Sequence, residues 1–240
     1  IAAQASDQER RAAADVWLDN SGTPDDLIAA VDALWEERLV PFEENLRRRR
    51  SAPCRHRDTV YDPNWPVLAA RLLARVERAV GERGRGVAHI GPTAVPGLPA
   101  DDVIELQLAV PSSTDIDALR DALAAAGFPD ARGTEGDHSP SAGGVRCHGS
   151  ADPARPVHLY LREQGSPGWR AALLVRDWLR ADSRAREEYL AARHRAQYID
   201  HGGPMCCTMG ARTWFDTWSC SVIPRAEEWA ESSGWSPSLG

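Results

Sequence analysis

The stretch Val87-Ala88-His89-Ile90-Gly91-Pro92-Thr93-Ala94-Val95-Pro96-Gly97-Leu98-Pro99-Ala100-Asp101-Asp102-Val103-Ile104-Glu105-Leu106-Gln107-Leu108-Ala109-Val110 decides the fold. Two β-type runs, 87–90 and 103–110, are joined by a loop rich in Gly and Pro, residues that punctuate regular structure. Alternation along the second run puts Val103, Glu105, Gln107 and Ala109 on one face. Ile104, Leu106, Leu108 and Val110 take the other face and belong to the core. Upstream, Leu68, Leu72, Leu73, Val76 and Val80 share the apolar side of a helix that ends at the turn Gly81–Gly86. Downstream come a helix over 115–126, a Gly/Ser/His-rich loop over 133–150 and a strand over 156–163. A helix opened by Pro167 and another after Asp182 follow. This order predicts a mixed α/β or α+β unit spanning 58–224, followed by a tail at 225–240.

The N-terminal part reads differently. Residues 1–15 are rich in Ala and Arg, a helical composition without a capping signal, and Val16–Gly22 reads as a short strand closed by a turn. Thr23 caps a second helix, with Pro24 at its first position and Asp26 three residues past the cap. Its apolar face is Leu27, Ile28, Val31, Leu34 and Trp35. A helix, a strand and a helix over 1–46 need a sheet to cover them, and none follows directly. Residues 47–57, with six Arg and one His but no acid, are expected to be a linker between the two parts. A phosphate-contacting patch is the alternative, because Arg pairs bidentately with phosphate.

Composition excludes several classes of function. The 240 residues contain no lysine, so neither a P-loop ending Gly-Lys-Ser/Thr nor a Schiff-base lysine is present. No apolar run reaches the ~18 residues of a membrane span, and no signal peptide opens the chain. A net charge of -7 argues against nucleic acid as a partner. Five cysteines in a chain without an export signal predict reduced thiols and a cytoplasmic location. His201, Cys206, Cys207 and Cys220 lack the spacing of a zinc site, so no metal site is expected.

Chemistry concentrates around the 103–110 strand. Two acids at i and i+2 on a strand can hold a divalent metal for nucleotidyl transfer, but the pair here is Glu105 and Gln107. A neutral amide is a poor ligand for a hard cation. His89, His158 and Tyr160 lie on strand segments flanking that face, and buried histidines are more often hydrogen-bonded core residues than catalysts. With Thr93 from the connecting loop, the candidate pocket is His89, Thr93, Glu105, Gln107 and His158.

Two resemblances follow. Gln4-Ala5-Ser6, Arg10, Ala14-Asp15 and Leu18-Asp19-Asn20-Ser21-Gly22 resemble the C-terminal end of bacterial dephospho-coenzyme A kinases. Residues 61–200 resemble the GrpB family, which has a nucleotidyltransferase-like fold. The motifs are Tyr61-Asp62-Pro63 with Trp65-Pro66, His89 to Leu98, Gly165-Ser166-Pro167 with Trp169-Arg170, and Arg176-Asp177 with Leu179-Arg180. Actinobacterial dephospho-coenzyme A kinases look like this fusion. The expected fold is therefore the end of a P-loop kinase domain followed by an α+β, nucleotidyltransferase-like GrpB domain.

The resemblance implies a complete enzyme that moves the ATP γ-phosphate to the 3′-hydroxyl of dephospho-coenzyme A, with ATP and Mg as its cofactors. It implies a preceding kinase segment as the missing partner, and a chain inactive by itself. It would place Gln4 and Arg10 near the nucleotide phosphates or lid and Asn20 near the adenine. Typical GrpB sequences carry Gly-Ser at Gly91-Pro92, Asp-x-Asp at Glu105-Leu106-Gln107 and Lys at Asp101 or Asp102. These departures imply a helper domain without nucleotidyltransferase activity. The alternative is a free-standing GrpB-like binding or folding-support module. The stretch 201–223 also departs from the family pattern.

Overall fold

The structure, a computed structural model, describes residues 5–54, 58–131, 146–199 and 221–239. Among these, the strands are β1 (Asp58–Thr59), β2 (Val87–Ile90), β3 (Ala100–Asp101), β4 (Ile104–Val110), β5 (Arg146–Gly149) and β6 (Val157–Glu163). The main sheet runs β2-β4-β6-β5, with β4 and β6 parallel and both outer pairs antiparallel; β1 and β3 form a separate two-stranded ribbon. The helices are α1 (Asp7–Ala13), α2 (Pro24–Leu34), α3 (Val40–Arg48), α4 (Trp65–Val80), α5 (Ile116–Ala125), α6 (Pro167–Ala181), α7 (Ser183–Ile199) and α8 (Ile223–Ser233).

Helices cover both faces of the sheet. Leu106, Leu108, Leu159 and Leu161 of the central strands are fully buried against Val76 and Val80 of α4 and Leu119 and Leu123 of α5. Ala88, Ile90 and Ala109 on the opposite face pack on Trp169 and Leu173 of α6. A third cluster joins α6, α7 and α8 through Leu174, Trp178, Tyr189, Ala226 and Ala230, with Val95 and Leu98 from the loop after β2. The central strands are leucine-rich on one side because that side meets two helices and no water.

Several expectations change. The first helix is capped after all: the Ser6 hydroxyl accepts from the Glu9 N–H while the Glu9 carboxylate accepts from the Ser6 N–H at 2.7 Å. Ser6-x-x-Glu9 is a capping box, legible in the sequence. The strand expected at Val16–Gly22 does not form. Among the described residues no strand lies alongside to pair with it, and an isolated strand leaves its backbone groups unmatched. Just ahead of this segment the backbone is held by arginines: Arg71 donates to the Ala14 carbonyl at 3.1 Å and Arg155 to the Asp15 carbonyl at 3.0 Å. The loop expected at 133–150 ends in β5, the outer strand of the main sheet, which pairs with β6 and is bridged at His148 to Asp130.

Helix α3 runs through Arg48 into the expected linker. Arg47 pairs with Glu43 and Arg48 with Glu44, each four residues back. These i, i+4 pairs put two of the clustered positive charges beside acids of their own helix. Between α2 and α3, Trp35–Leu39 forms a π turn. Pro41 lacks the N–H that an unbroken α-helix would use there, so the turn widens. At the C-terminus the expected tail is largely ordered. After α8 the chain folds back, and buried Arg176 donates to the Ser238 carbonyl at 2.7 Å and to those of Leu239 and His89 at 3.3 Å. Trp235 donates its indole N–H to Asp177.

Candidate functional site

Register places the candidate residues in cross-strand rows. Directly opposite residues of neighbouring strands share a face. One row is Ile90, Glu105, His158 and Gly149, and the next is Ala88, Gln107, Tyr160 and Cys147. Glu105 and Gln107 therefore share a face, as expected from the alternation of their strand, and the register adds His158 to it. His89 does not join them. It sits opposite Leu106, on the helix α4 side of the sheet. Strand β2 has the same period of two as β4, so His89 falls out of phase with Glu105.

His89 belongs instead with Thr93. Its Nε2 lies 3.0 Å from the buried Thr93 hydroxyl, which donates to the Val103 carbonyl at 3.3 Å. With that hydroxyl proton committed, His89 donates from Nε2. Burial pushes its pKa down to about 4, helped by the nearby Arg180 and Arg176 guanidiniums. A neutral, doubly enclosed histidine of this kind braces the β2–β4 connection.

Gln107 is fully buried, and both ends of its amide are in use. The Nε2 donates to the Trp169 carbonyl at 3.1 Å, and the Oε1 accepts from Arg162 at 2.6 Å. Arg162 in turn stacks 4.6 Å from the centre of the Tyr160 ring. Burial lowers the Arg162 pKa, opposed by Tyr160 and Glu105, and burial pushes the Tyr160 phenol well up. Arg162 escaped the sequence reading although alternation from His158 and Tyr160 would have placed it on this face.

Glu105 is tightly seated. Gly91 adopts φ +70°, and a Cβ there would collide with the Glu105 carboxylate. Only glycine suits both demands at that position.

A divalent cation held on this face would need a second carboxylate near Glu105. Gln107 cannot serve, being a structural link between β4, β6 and α6. Among the described residues no three His, Cys, Asp or Glu side chains cluster as a metal site would. The residues present do not fit a magnesium ion here.

The acids at the expected lysine positions also have structural partners. Arg193 of α7 lies 2.8 Å from Asp58 and 3.1 Å from Asp101, tying the β1–β3 ribbon down. Asp102 accepts the Trp65 indole N–H at 2.8 Å. Of the residues assigned to the nucleotide by resemblance, Arg10 ion-pairs with Asp7 of its own helix, and Asn20 is exposed in the turn before α2. Gln4 and most of 201–223, including Cys206 and Cys207, lie outside the described residues.

A four-stranded mixed sheet with helices on both faces, and a glutamate on β4 pinned by the glycine that ends β2, defines a mixed α/β protein. The GrpB protein family profile matches residues 59–203, and the chain belongs to that family. The crystal structure of conserved protein GrpB from Enterococcus faecalis shares the fold, with a TM-score of 0.56 at 20% identity, over 75% of this chain and all of that one. A UPF0157 protein of Halalkalibacterium halodurans is 30% identical over 149 residues, covering 59% of this chain and 71% of its own length.

The likeness extends further in one group. The dephospho-CoA kinase of Mycolicibacterium paratuberculosis is 42% identical over 256 residues, taking in 99% of this chain. That of Mycobacterium leprae is 38% identical over 257 residues. The chain spans 62% of the length of these kinases, in their C-terminal part. No helix among the described residues is long and apolar enough to cross a membrane.

Proposed function

We propose that this chain is the C-terminal part of a cytoplasmic dephospho-coenzyme A kinase. In this reading the GrpB-family portion supports the kinase without carrying out chemistry. The complete enzyme would move the γ-phosphate of ATP to the 3′-hydroxyl of dephospho-coenzyme A, and its P-loop, ATP and magnesium would belong to the preceding segment. The observation that carries the helper role is Gln107. A nucleotidyltransferase needs charge on this face to neutralise a metal, and here the side chain is neutral, buried and committed at both amide ends. The kinase assignment is supported by 42% identity along the whole of this chain.

The test compares the complete polypeptide with a version lacking residues 58–240, assayed for ATP-dependent formation of coenzyme A. The helper reading expects the per-molecule turnover of soluble enzyme to change less than threefold, while soluble yield or thermal stability drops. Loss of turnover in a folded, soluble truncation would overturn it. The 240-residue chain alone is expected to form no coenzyme A. Magnesium-dependent nucleotide transfer by the chain would revive a catalytic role for Glu105.

A further inference from the structure

Of the nine large apolar residues exposed among the described residues, seven lie between Val16 and Val40. Along α2 and the π turn, Ile28, Val31, Trp35 and Leu39 recur at i, i+3, i+7 and i+11, the spacing of one helical stripe. Their exposures are 57%, 45%, 60% and 41%. Val16 and Trp17 add 37% and 40% in the segment before the helix. Contiguous apolar surface on this scale marks a contact face.

The helix is not free to turn this stripe inward. Leu27, Leu34 and Arg38 occupy its half-buried side. Arg38 grips Asp152 in a two-pronged pair, with Nε 3.0 Å from Oδ1 and Nη2 2.7 Å from Oδ2. Asn45 of α3 donates to the Ala151 carbonyl at 2.9 Å, beside the same acid. Arg71 and Arg155 hold the carbonyls of Ala14 and Asp15. The GrpB-family portion thus fixes one side of the N-terminal helices and presents the other.

We infer that the stripe of Ile28, Val31, Trp35 and Leu39 is the docking face for the portion of polypeptide that precedes this chain in proteins of its kinase relatives' length. The inference rests on the kinase reading above. The relatives match this entire chain with 62% of their length and place it at their C-terminal end, so over a third of such a polypeptide lies ahead of it. A segment of that size carries an apolar core of its own, and its uncovered side is the match for a fixed apolar stripe close behind it. The flanks of the stripe favour this occupant over a second copy or a membrane. Asp25, Asp32, Glu36 and Glu37 are all exposed, so a symmetric pairing would set acids near acids, and an anionic lipid surface would repel them.

The experiment measures hydrogen exchange over residues 24–40 in the complete polypeptide from the reading frame containing this chain, and in the 240-residue chain alone. The expected result is exchange at least tenfold slower in the complete polypeptide. Val31→Asp combined with Trp35→Asp should erase most of that difference while leaving exchange within 58–131 unmoved, and the milder Ile28→Ser should erase part of it. Equal exchange in the two proteins would overturn the proposal. So would protection that survives the double substitution, or a reading frame that starts at Ile1. Sedimentation showing the 240-residue chain as a dimer that Trp35→Asp splits would assign the face to a second copy instead. Coenzyme A formation is measured on the same samples. Protection without activity sinks the kinase reading alone, and activity without protection sinks the docking alone.

Discussion

Two regions of this molecule obey opposite rules. Around the sheet, every aliphatic side chain of β4 and β6 is buried, and Gln107 among them is enclosed and matched at both amide ends. Along α2 and the π turn no residue is fully buried, and Trp35 is the most exposed large apolar residue of that stripe. Both regions have sound local signals: capping boxes at Ser6 and Thr23 in the N-terminal helices, and the Ser166 cap of α6 beside the sheet. What separates them is covering. A helix with good caps still draws most of its stability from packing, and only the sheet region is packed on all sides.

Substitutions at the two extremes should break the comparison or sharpen it. Leu159→Ala removes a fully buried side chain from the centre of the sheet and should cost about 2–5 kcal/mol in chemical denaturation. A loss under about 1 kcal/mol would show that this core is loosely packed.

The next effect is one of pH. His89 has a folded pKa of about 4, below the ~6.5 of an unfolded histidine. Between those values the unfolded chain binds more protons, so stability rises with pH across the window. The contribution of neutral His89 is complete above about pH 6.5 and is lost as pH falls toward 4. At ~1.4 kcal/mol per pH unit the change is of order 3 kcal/mol. Comparison with His89→Gln isolates it, because the variant should lack that part of the slope. Parallel stability profiles for the two proteins would contradict the burial of His89.

Gln107→Leu would take a second donor from the Trp169 carbonyl and leave one buried Arg162 donor without its acceptor, at a cost of about 2 kcal/mol. Gln107→Glu keeps an acceptor for Arg162 and should be milder in thermal unfolding. If the glutamate were the worse of the two, Gln107 would not be serving as the link to Arg162.

Smaller again is Arg38→Ala. It removes a pair only 14% and 13% exposed, and should cost about 1 kcal/mol, with Asp152→Ala coupled to it in a double-mutant cycle. Smallest of all, Ile28→Ser in the 240-residue chain should change stability by less than about 0.5 kcal/mol, as for other open surface sites. A large loss there would mean that the stripe is already covered.

Much of this was readable beforehand. Period-two alternation placed Glu105 and Gln107 on one face, and the apolar spacing of 68–80 defined α4. Pro167 and Asp182 marked where helices begin. His89 was harder to place because its face depends on the register between β2 and β4, set by a Gly/Pro loop whose path is not periodic. The strand expected at Val16–Gly22 failed for a related reason. Its residues suit a strand, but among the described residues no partner strand lies beside it.

Local chemistry alone determined the caps, the alternating core of β4 and the absence of a phosphate loop, because each depends on neighbours within a few residues or on composition. Tertiary structure alone decided which polar groups became structural. Gln107 is a core link because Arg162, 55 residues away, and the Trp169 carbonyl, 62 away, meet its amide. Asp152 anchors the N-terminal helices because Arg38, 114 residues earlier, folds back onto it. Pairings that distant leave no periodic trace in the sequence; they exist only once the sheet has brought their partners together.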